Sequence, residues 1–391
     1  MKTNESRIHI GIFGRRNFGK SSLINALTGQ ETAIVSAIAG TTTDPVKKSI
    51  EIFGLGPVVL MDTAGIDDIG ELGRSRIDKS IEALKQVDLA LLVTNRYAWD
   101  APEKELVKEF EKWGTAFLIV NNKIDELSEK QDSIHQHKVI NVSTKTGEGM
   151  ETLLAEMRLQ IAKENNAMPA LLEGLITKSD TVVLVTPIDS EAPAGRLILP
   201  QVQTIRAILD EQAVAVVLPI DELGNYLQRN PAPRLVITDS QIFEKVSAVV
   251  PNQIPLTSFS ILLARQKGDF GNYLKGTPAI AELQDGDSIL ILESCTHQTS
   301  CEDIGRIKIP QLLQRHTGRK LNFVFVAGLD RVPDLSAFAM VVQCGGCMVT
   351  RKQLLNRLKP AIDAGIPVTN YGMLLAYVNG IFDRAVEGVR N

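Results

Sequence analysis

The first 294 residues of this 391-residue chain contain no cysteine. All four cysteines lie in the last quarter of the chain: Cys295, Cys301, Cys344 and Cys347. A secreted protein held together by disulfides spreads its cysteines through a short chain. The clustering therefore argues against a disulfide scaffold and favours metal binding or redox chemistry.

The chain also lacks a surplus of positive charge, since 42 Lys and Arg face 46 Asp and Glu, a net charge of −4. That balance argues against bulk binding of nucleic acid, although it does not exclude a local basic patch. No apolar run reaches the roughly 18 residues that a membrane-spanning helix needs. The polar start, Met1–Glu5, lacks the layered pattern of a signal peptide. We therefore expect a soluble, cytoplasmic protein with no membrane partner.

Hydrophobic residues make up 44% of the chain and charged residues 23%, which is ordinary for a globular protein. At roughly 100–200 residues per domain, the length predicts two or three domains. We place them at residues 1–168, 169–266 and 267–391, with the first boundary at the polar stretch before Pro169. Short apolar runs alternate with helical patterns, which predicts an α/β fold with mostly parallel sheets. The predicted strands are Ile8–Phe13, Val58–Met61, Leu89–Val93, Phe117–Val120, Thr181–Val185, Ala213–Leu218, Arg234–Ile237, Ser288–Leu292, Asn322–Val326 and Ala339–Val342.

A phosphate-binding loop is predicted at Gly14–Ser21, which matches GxxxxGKS between a strand and a helix. Its glycines allow backbone N–H groups to wrap the phosphates, and the helix N-terminus adds positive potential. We expect Lys20 at the β- and γ-phosphates and Ser21 on Mg²⁺. The nucleotide-binding residues of this loop are Gly14, Asn17, Gly19, Lys20, Ser21 and Ser22.

A second phosphate-side element follows the predicted strand that ends at Met61, namely Asp62-Thr63-Ala64-Gly65. The carboxylate of Asp62 can hold Mg²⁺ through water. The backbone N–H of Gly65 is available to the γ-phosphate. Together with Lys20, Asp62 and Gly65 are predicted to act in catalysis at the phosphates.

The base is predicted to be guanine because Asn122-Lys123-Ile124-Asp125 looks like the NKxD motif of GTPases. The carboxylate of Asp125 would accept hydrogen bonds from the N1–H and the exocyclic amine of guanine. Adenine lacks that amine and would leave the carboxylate unpaired. Ser143-Thr144-Lys145 resembles the last guanine-contacting motif of the same class. GTP is therefore favoured over ATP.

The segment Gly40-Thr41-Thr42-Thr43-Asp44 resembles the effector motif of the bacterial GTPases typified by the tRNA-modifying protein MnmE and by Era. That resemblance covers about the first 168 residues. It implies that Thr42 ligates Mg²⁺ and takes part in catalysis.

Two residues bear on the rate of hydrolysis. Ile66 stands where Ras-like proteins carry a catalytic Gln, and its side chain cannot orient water. Asn17 stands where potassium-activated relatives carry an Asn that helps to hold the cation, although an Asn there can also simply form a turn. We predict slow intrinsic hydrolysis that K⁺ accelerates by supplying positive charge.

A metal site is predicted from Cys344-Gly345-Gly346-Cys347 and Cys295-Thr296-His297. Both groups follow predicted strands, so they should meet at the carboxyl edge of one parallel sheet. Glu293 and Cys301 are nearby in sequence. From ligand chemistry alone, a structural zinc ion and a 4Fe–4S cluster both fit, and unconnected buried thiols are a third alternative.

A GTPase domain, a middle domain and a C-terminal CxH…CxxC pattern together resemble the HydF family, the maturation GTPases of iron–iron hydrogenase. The resemblance spans the chain. It implies that Cys295, Cys344 and Cys347 bind a 4Fe–4S cluster and that the middle domain forms a homodimer. It also implies a scaffold that receives a diiron precursor and delivers it to apo-hydrogenase, in partnership with radical-SAM maturation enzymes. The competing hypothesis is a regulatory or RNA-related GTPase with a structural zinc site.

One position departs from the family pattern, because residue 343 is Gln where the family usually has His. The fourth iron therefore lacks that ligand. Candidates to replace it are His297, Glu293, Cys301, water or an exogenous group. We favour an exchangeable site, since a scaffold must admit and release its cargo.

Overall fold

The structure is a computed structural model that describes residues 8–28, 46–52, 55–63, 65–66, 79–166, 169–187, 197–294, 304–346 and 349–390. Its contacts divide the chain into two compact units, Met1–Ala167 and Met168–Asn391. No helix in these described ranges is both long enough and apolar enough to cross a bilayer.

The first unit is built on one mostly parallel sheet. Its strands are β1 (Ile8–Gly14), β2 (Val46–Ile52), β3 (Gly56–Asp62), β4 (Leu89–Asn95), β5 (Ala116–Asn122), β6 (Ser133–Ile134) and β7 (His137–Asn141), in the spatial order β2-β3-β1-β4-β5-β7-β6. The two outer strands, β2 and β6, pair antiparallel with their neighbours. The helices are α1 (Lys20–Thr28), α2 (Ala101–Lys112) and α3 (Met150–Asn166), and residues 79–84 are also helical.

Both faces of this sheet are buried, which is why its inner strands are almost continuously apolar. Ile12 of β1 packs in a core with Leu23 of α1 and Leu153 of α3. On the other face, Phe13 packs with Phe110 of α2. The carboxyl ends of β1, β3, β4 and β5 therefore meet at one edge, and the loops that leave this edge carry the predicted nucleotide motifs.

The second unit contains two parallel sheets. The strands of the first are β8 (Thr181–Val185), β9 (Val214–Leu218), β10 (Leu235–Thr238) and β11 (Leu256–Ser258), in the order β11-β10-β8-β9. Those of the second are β12 (Ser288–Leu292), β13 (Asn322–Val326), β14 (Met340–Gln343) and β15 (Val368–Asn370), in the order β13-β12-β14-β15. The helices are α4 (Leu199–Asp210), α5 (Ile220–Arg229), α6 (Phe243–Val249), α7 (Phe259–Lys267), α8 (Phe270–Gly276), α9 (Ile309–Thr317), α10 (Arg351–Asp363), α11 (Tyr371–Val378) and α12 (Phe382–Glu387).

The two sheets of the second unit repeat one topology, which the amino-acid sequence does not reveal. In each sheet the first strand along the chain lies between the second and the third, and the fourth lies beyond the third. In each, the last strand leads directly into a helix that its final residue caps: Ser258 accepts from the N–H of Ile261, and Asn370 from the N–H of Met373. The repeated feature is strand order and capping, not residue identity.

The two sheets also share one hydrophobic core. Val183 of β8 and Ile237 of β10 belong to the same cluster of buried residues as Leu290 of β12 and Val341 of β14. The boundary predicted near residue 267 stays a prediction of the sequence. The fold class, by contrast, is confirmed: an α/β chain with mostly parallel sheets.

Candidate functional site

The phosphate loop has the backbone shape that its glycines allow. Gly14 has φ +143° and Gly19 has φ +91°, in the left-handed region that favours glycine. A Cβ atom at Gly14 would collide with the backbone of Val93, and one at Gly19 with the side-chain amide of Asn122. Lys20 Nζ donates to the carbonyl oxygens of Gly14 (2.8 Å) and Arg15 (3.0 Å) across the loop. Ser21 and Ser22, at the start of α1, are exposed.

Arg15 ties this loop to the start of α2, a contact that the sequence analysis missed. Its guanidinium donates to Glu103 Oε1 (2.7 Å) and Oε2 (2.6 Å) and to Asp100 Oδ2 (2.6 Å). Glu103 is fully buried, and its hydrogen bonds with Arg15 raise the pKa of Arg15 further above its ordinary value. Asp100 and Glu103 also form the capping box of α2. The ion pair joins residues 88 positions apart, so only the folded chain reveals it.

Asn17 and Ile66 are the two residues from which slow, cation-dependent hydrolysis was predicted. Asn17 is exposed in the loop with φ +59°, a conformation that Asn tolerates better than most residues. This geometry suits both a cation ligand and a turn former. The Ile66 side chain is 7% exposed and packs in the core against Phe13 and Met61. It is therefore unavailable to orient water.

Asp62 ends β3 beside the phosphate loop. Burial raises its pKa, while the charges of Lys20 and Lys48 act in the opposite direction. Next to it, Thr63 Oγ1 donates to the carbonyl oxygen of Ile12 (2.7 Å), which fixes the turn. Gly65 is buried in the same turn. Thr42, with the whole segment 40–44, lies outside the described residues.

The guanine motifs come together around the side chain of Asn122. Its amide nitrogen donates to the carbonyl oxygen of Phe18 in the phosphate loop (3.2 Å). Its Oδ1 accepts from the N–H groups of Lys123 (2.8 Å) and Thr144 (3.2 Å). The buried amide of Asn122 therefore fixes the positions of the phosphate loop and of both predicted guanine loops relative to one another.

Asp125 is exposed, as a residue that reads a base edge must be. The hydroxyl of Ser143, which is fully buried, donates to its Oδ1 (2.6 Å). This hydrogen bond lowers the pKa of Asp125, so the carboxylate stays ionised to more acidic pH. Lys145 is exposed nearby. The structure thus brings Asn122, Asp125 and Ser143 together, and their contact with guanine stays a prediction.

In the second unit, β12 and β14 are neighbouring parallel strands, with Leu292 opposite Gln343. The N–H of Cys344 donates to the carbonyl oxygen of Leu292 (3.0 Å) beyond the last strand pair. After β12 the chain crosses to β13 on one side, and after β14 it crosses to β15 on the other. Cys344 therefore lies at the topological switch point, where ligands of open parallel sheets bind.

The sulfur of Cys344 is surrounded by hydrogen-bonding groups. The N–H of Ser294 donates to Sγ (3.0 Å), and the Ser294 hydroxyl lies 2.9 Å from the same atom. The side-chain amide of Gln343 donates to Ser294 Oγ (3.0 Å) and to the carbonyl oxygen of Leu292 (3.3 Å). A sulfur held by donors in this way suits a metal-bound thiolate.

Two arginines flank this sulfur site. Arg306 donates to both carboxylate oxygens of Glu293, at 2.8 to 3.1 Å. Glu293 is only 3% exposed, so it would have to give up this pair to ligate iron. Arg357 donates to the carbonyl oxygens of Glu293 (2.7 Å) and Val326 (3.2 Å), and burial lowers its pKa. Of the two guanidinium groups, that of Arg306 is paired with a carboxylate, and that of Arg357 is bonded to backbone carbonyl oxygens.

The remaining predicted cluster residues, Cys295, His297, Cys301 and Cys347, lie outside the described residues. Within the described ranges, no group of three or more His, Cys, Asp or Glu is placed to hold a metal ion. The ligand set therefore stays a prediction. What the structure adds is the position and surroundings of Cys344.

Comparison with known families divides the chain into three parts. Residues 9–123 match a family described as 50S ribosome-binding GTPase. Residues 171–268 match the hydrogen maturase F dimerization domain, and residues 271–388 match the hydrogen maturase F tetramerization domain. The last two matches together cover more than half of the chain.

Individual relatives match the N-terminal part alone. The tRNA modification GTPase MnmE of Pectobacterium atrosepticum is 37% identical over 162 residues, which are 40% of this chain and 36% of that protein. MnmE of Paramagnetospirillum magneticum is 38% identical over 155 residues, 38% of this chain and 34% of that protein. The chain thus spans about a third of the length of the curated relatives it matches. A crystal structure of Era in complex with MgGDPNP and a 16S ribosomal RNA fragment covers 38% of this chain and 55% of that chain, at 25% identity and a TM-score of 0.33.

Proposed function

The chain belongs to the hydrogen maturase F family, and from that membership we propose that it is a GTP-hydrolysing scaffold for hydrogenase maturation. In this proposal it binds a 4Fe–4S cluster and assembles or delivers the diiron precursor of the active site to apo-hydrogenase. Its partners in this proposal are apo-hydrogenase and radical-SAM maturation enzymes. GTP with Mg²⁺, and K⁺ as an activator, serve the N-terminal unit.

GTP binding is supported by the way in which the nucleotide motifs are joined. Asn122 links the phosphate loop to both guanine loops, and Ser143 holds Asp125 ionised and exposed. An exposed carboxylate fixed in this way can accept the two N–H groups of guanine. Lys20 is already positioned across the phosphate loop, where a β- or γ-phosphate would replace the carbonyl oxygens as its partner. Magnesium would be held by Ser21 and Thr42, with Asp62 acting through water.

Hydrolysis should be at least about tenfold faster in KCl than in NaCl of equal ionic strength, because a cation beside the phosphate loop would stabilise the transition-state charge. Asn17→Gly should abolish the difference, since it removes the side-chain oxygen but tolerates the φ of +59°. Phosphate release at saturating GTP measures both rates. Equal rates in the two salts would overturn the potassium proposal and leave GTP hydrolysis intact.

Cluster binding rests on one observation above all: Cys344 lies at the switch point of the C-terminal sheet, with the N–H and the hydroxyl of Ser294 within hydrogen-bond distance of its sulfur. Cys295 directly follows Ser294 in the sequence, and Cys347 follows Gly346. A donor set of three thiolates suits a 4Fe–4S cluster with one iron open to an exchangeable ligand. When bound, such a cluster supplies electron transfer and an open coordination position. The chain's own residues would hold the sulfur of Cys344 through the N–H and the hydroxyl of Ser294.

Iron and sulfide analysis after anaerobic reconstitution, followed by EPR of the reduced protein, tests this proposal. About four iron and four sulfide per chain with a 4Fe–4S spectrum would support the scaffold function. Uptake of one zinc ion without sulfide would instead favour a GTPase with a structural zinc site.

A homodimer is supported by the exposed edge of the first sheet in the second unit. β9 is an outer strand, and its Val214 and Val217 are 51% and 44% exposed. Unpaired backbone groups and exposed valines on an edge strand favour pairing with another strand. The match to a dimerization domain covers this region. We infer that a second copy of the chain pairs along β9.

Val217→Lys should therefore weaken dimerisation at least about tenfold, because charged side chains on edge strands oppose pairing and a twofold interface contains the substitution twice. The matched control is Leu159→Lys, which places the same charge at an apolar position 49% exposed on helix α3 of the first unit and should leave dimerisation unchanged. Sedimentation velocity of the full chain measures both. A Val217→Lys protein that dimerises like wild type would contradict the assignment of this edge.

A further inference from the structure

Ser294 places its backbone N–H and its hydroxyl group against one sulfur atom. Its backbone nitrogen lies 3.0 Å and its hydroxyl oxygen 2.9 Å from Cys344 Sγ. Ser294 is 5% exposed. Cys344 is half-buried, so hydrogen bonds to its sulfur are partly shielded from water and have a larger electrostatic effect than at the surface.

Gln343 fixes the direction of the Ser294 hydroxyl. The amide nitrogen of Gln343 can only donate, and it lies 3.0 Å from Ser294 Oγ. The oxygen of the hydroxyl accepts this bond, so its single proton is left for Cys344 Sγ. A thiolate bound to a metal has no proton to give, and the hydroxyl is then the only donor between these two atoms.

Packing holds Gln343 in this role. The side chain is fully buried, and its amide nitrogen also lies 3.3 Å from the carbonyl oxygen of Leu292 and 4.0 Å from Cys344 Sγ, a sulfur contact that is 1.0 Å longer than its bond to Ser294. Its Oε1 is buried and has no hydrogen-bond partner among the described residues. The amide is therefore anchored through its nitrogen alone, at the end that faces Ser294.

We propose that Ser294 donates both its N–H and its O–H to the Cys344 sulfur, that Gln343 is the positioning residue for that hydroxyl, and that this relay raises the reduction potential of a cluster bound by Cys344. The inference rests on the proposed cluster function. Adding one electron to a bound cluster places more negative charge on its sulfur ligands, and donors to those sulfurs stabilise the reduced form. Removing a donor should therefore lower the potential.

The test is an EPR-monitored redox titration of the reconstituted full-length protein. Ser294→Ala should lower the midpoint potential while retaining iron, because Ser294 is not a ligand. Ser294→Thr keeps the hydroxyl and should restore the wild-type value. Gln343→Met removes the amide donor at similar volume, and we expect a smaller shift in the same direction. Ser240→Ala is the matched control, since Ser240 is similarly buried and its hydroxyl bonds to Ser258 rather than to Cys344.

A Ser294→Ala protein with full iron and the wild-type potential would overturn the relay and leave the scaffold function standing. Wild-type protein that takes up no iron and sulfide would overturn both. If Ser294→Ala fails to fold, Gln343→Met decides: an unchanged potential in that variant contradicts the positioning role, and a lowered one supports it.

Discussion

Lys20→Ala should reduce GTP turnover at least about a hundredfold, because the lysine ammonium is the main side-chain charge that the chain offers to the β- and γ-phosphates. The structure holds Lys20 Nζ 2.8 Å from Gly14 O and 3.0 Å from Arg15 O, directly across the mouth of the phosphate loop. Alanine loses this charge and both hydrogen bonds. Initial rates of phosphate release at saturating GTP measure the effect.

The control is Lys112→Ala, which removes an exposed lysine at the end of α2 that pairs with Glu109 on its own helix and lies over the neighbouring Trp113 ring. It should hydrolyse GTP at the wild-type rate. Loss of the two loop hydrogen bonds in Lys20→Ala should cost about 1–2 kcal/mol of stability, so a thermal melt must accompany the kinetics. A folded Lys20→Ala protein with near-normal turnover would show that the loop is not the catalytic phosphate site.

Much of the first unit could be predicted because its strands are short, apolar and bounded by glycine or polar residues. β1, β3, β4 and β5 lie within two residues of their predicted limits. β2 was missed, although Lys47, Ser49 and Glu51 alternate with less exposed residues in the period-two pattern of an edge strand. Because polar and charged residues occupy every second position of β2, the strand contains no continuous apolar run.

Contacts between distant residues were beyond prediction. The Arg15–Glu103 pair depends on how β1 and β4 place their following loops side by side, which no local pattern encodes. β11 and β15, of three residues each, are too short to give a periodic signal. They become strands because the sheets offer a parallel neighbour and the following helices are capped by Ser258 and Asn370.

At the cluster site, too, the strands could be predicted from the sequence and the contacts between distant residues could not. Spacing alone predicted that the strands ending at Leu292 and near Val342 share an edge, and the register of β12 and β14 confirms it. Sequence alone could not show that Gln343 is buried and bonded to Ser294, or that Glu293 is paired with Arg306. Those contacts determine which charges and hydrogen-bond donors lie near the Cys344 sulfur. They form only when two loops about fifty residues apart in sequence come together in the fold.

Cys344→Ala should lose most of its iron after anaerobic reconstitution. In the proposed ligand set each of three thiolates bonds one iron, so removing one leaves two protein ligands and a labile cluster. The loss should be visible both as iron and sulfide per chain and as a weak EPR signal after reduction. Turnover of GTP by the same preparation confirms that the first unit is folded, and a thermal melt compared with wild type tests the second unit, which carries the substitution.

Cys301→Ala is the matched control, because it removes a thiol from the same part of the sequence that is outside the proposed set of three. It should retain iron, with an altered spectrum only if Cys301 is the fourth ligand. If it loses iron as severely as Cys344→Ala, four thiolates close the cluster, and no iron remains open to an exchangeable ligand. A scaffold that must accept a precursor through that open iron would then need another route. The comparison of these two cysteines therefore tests the delivery mechanism as well as the ligand set.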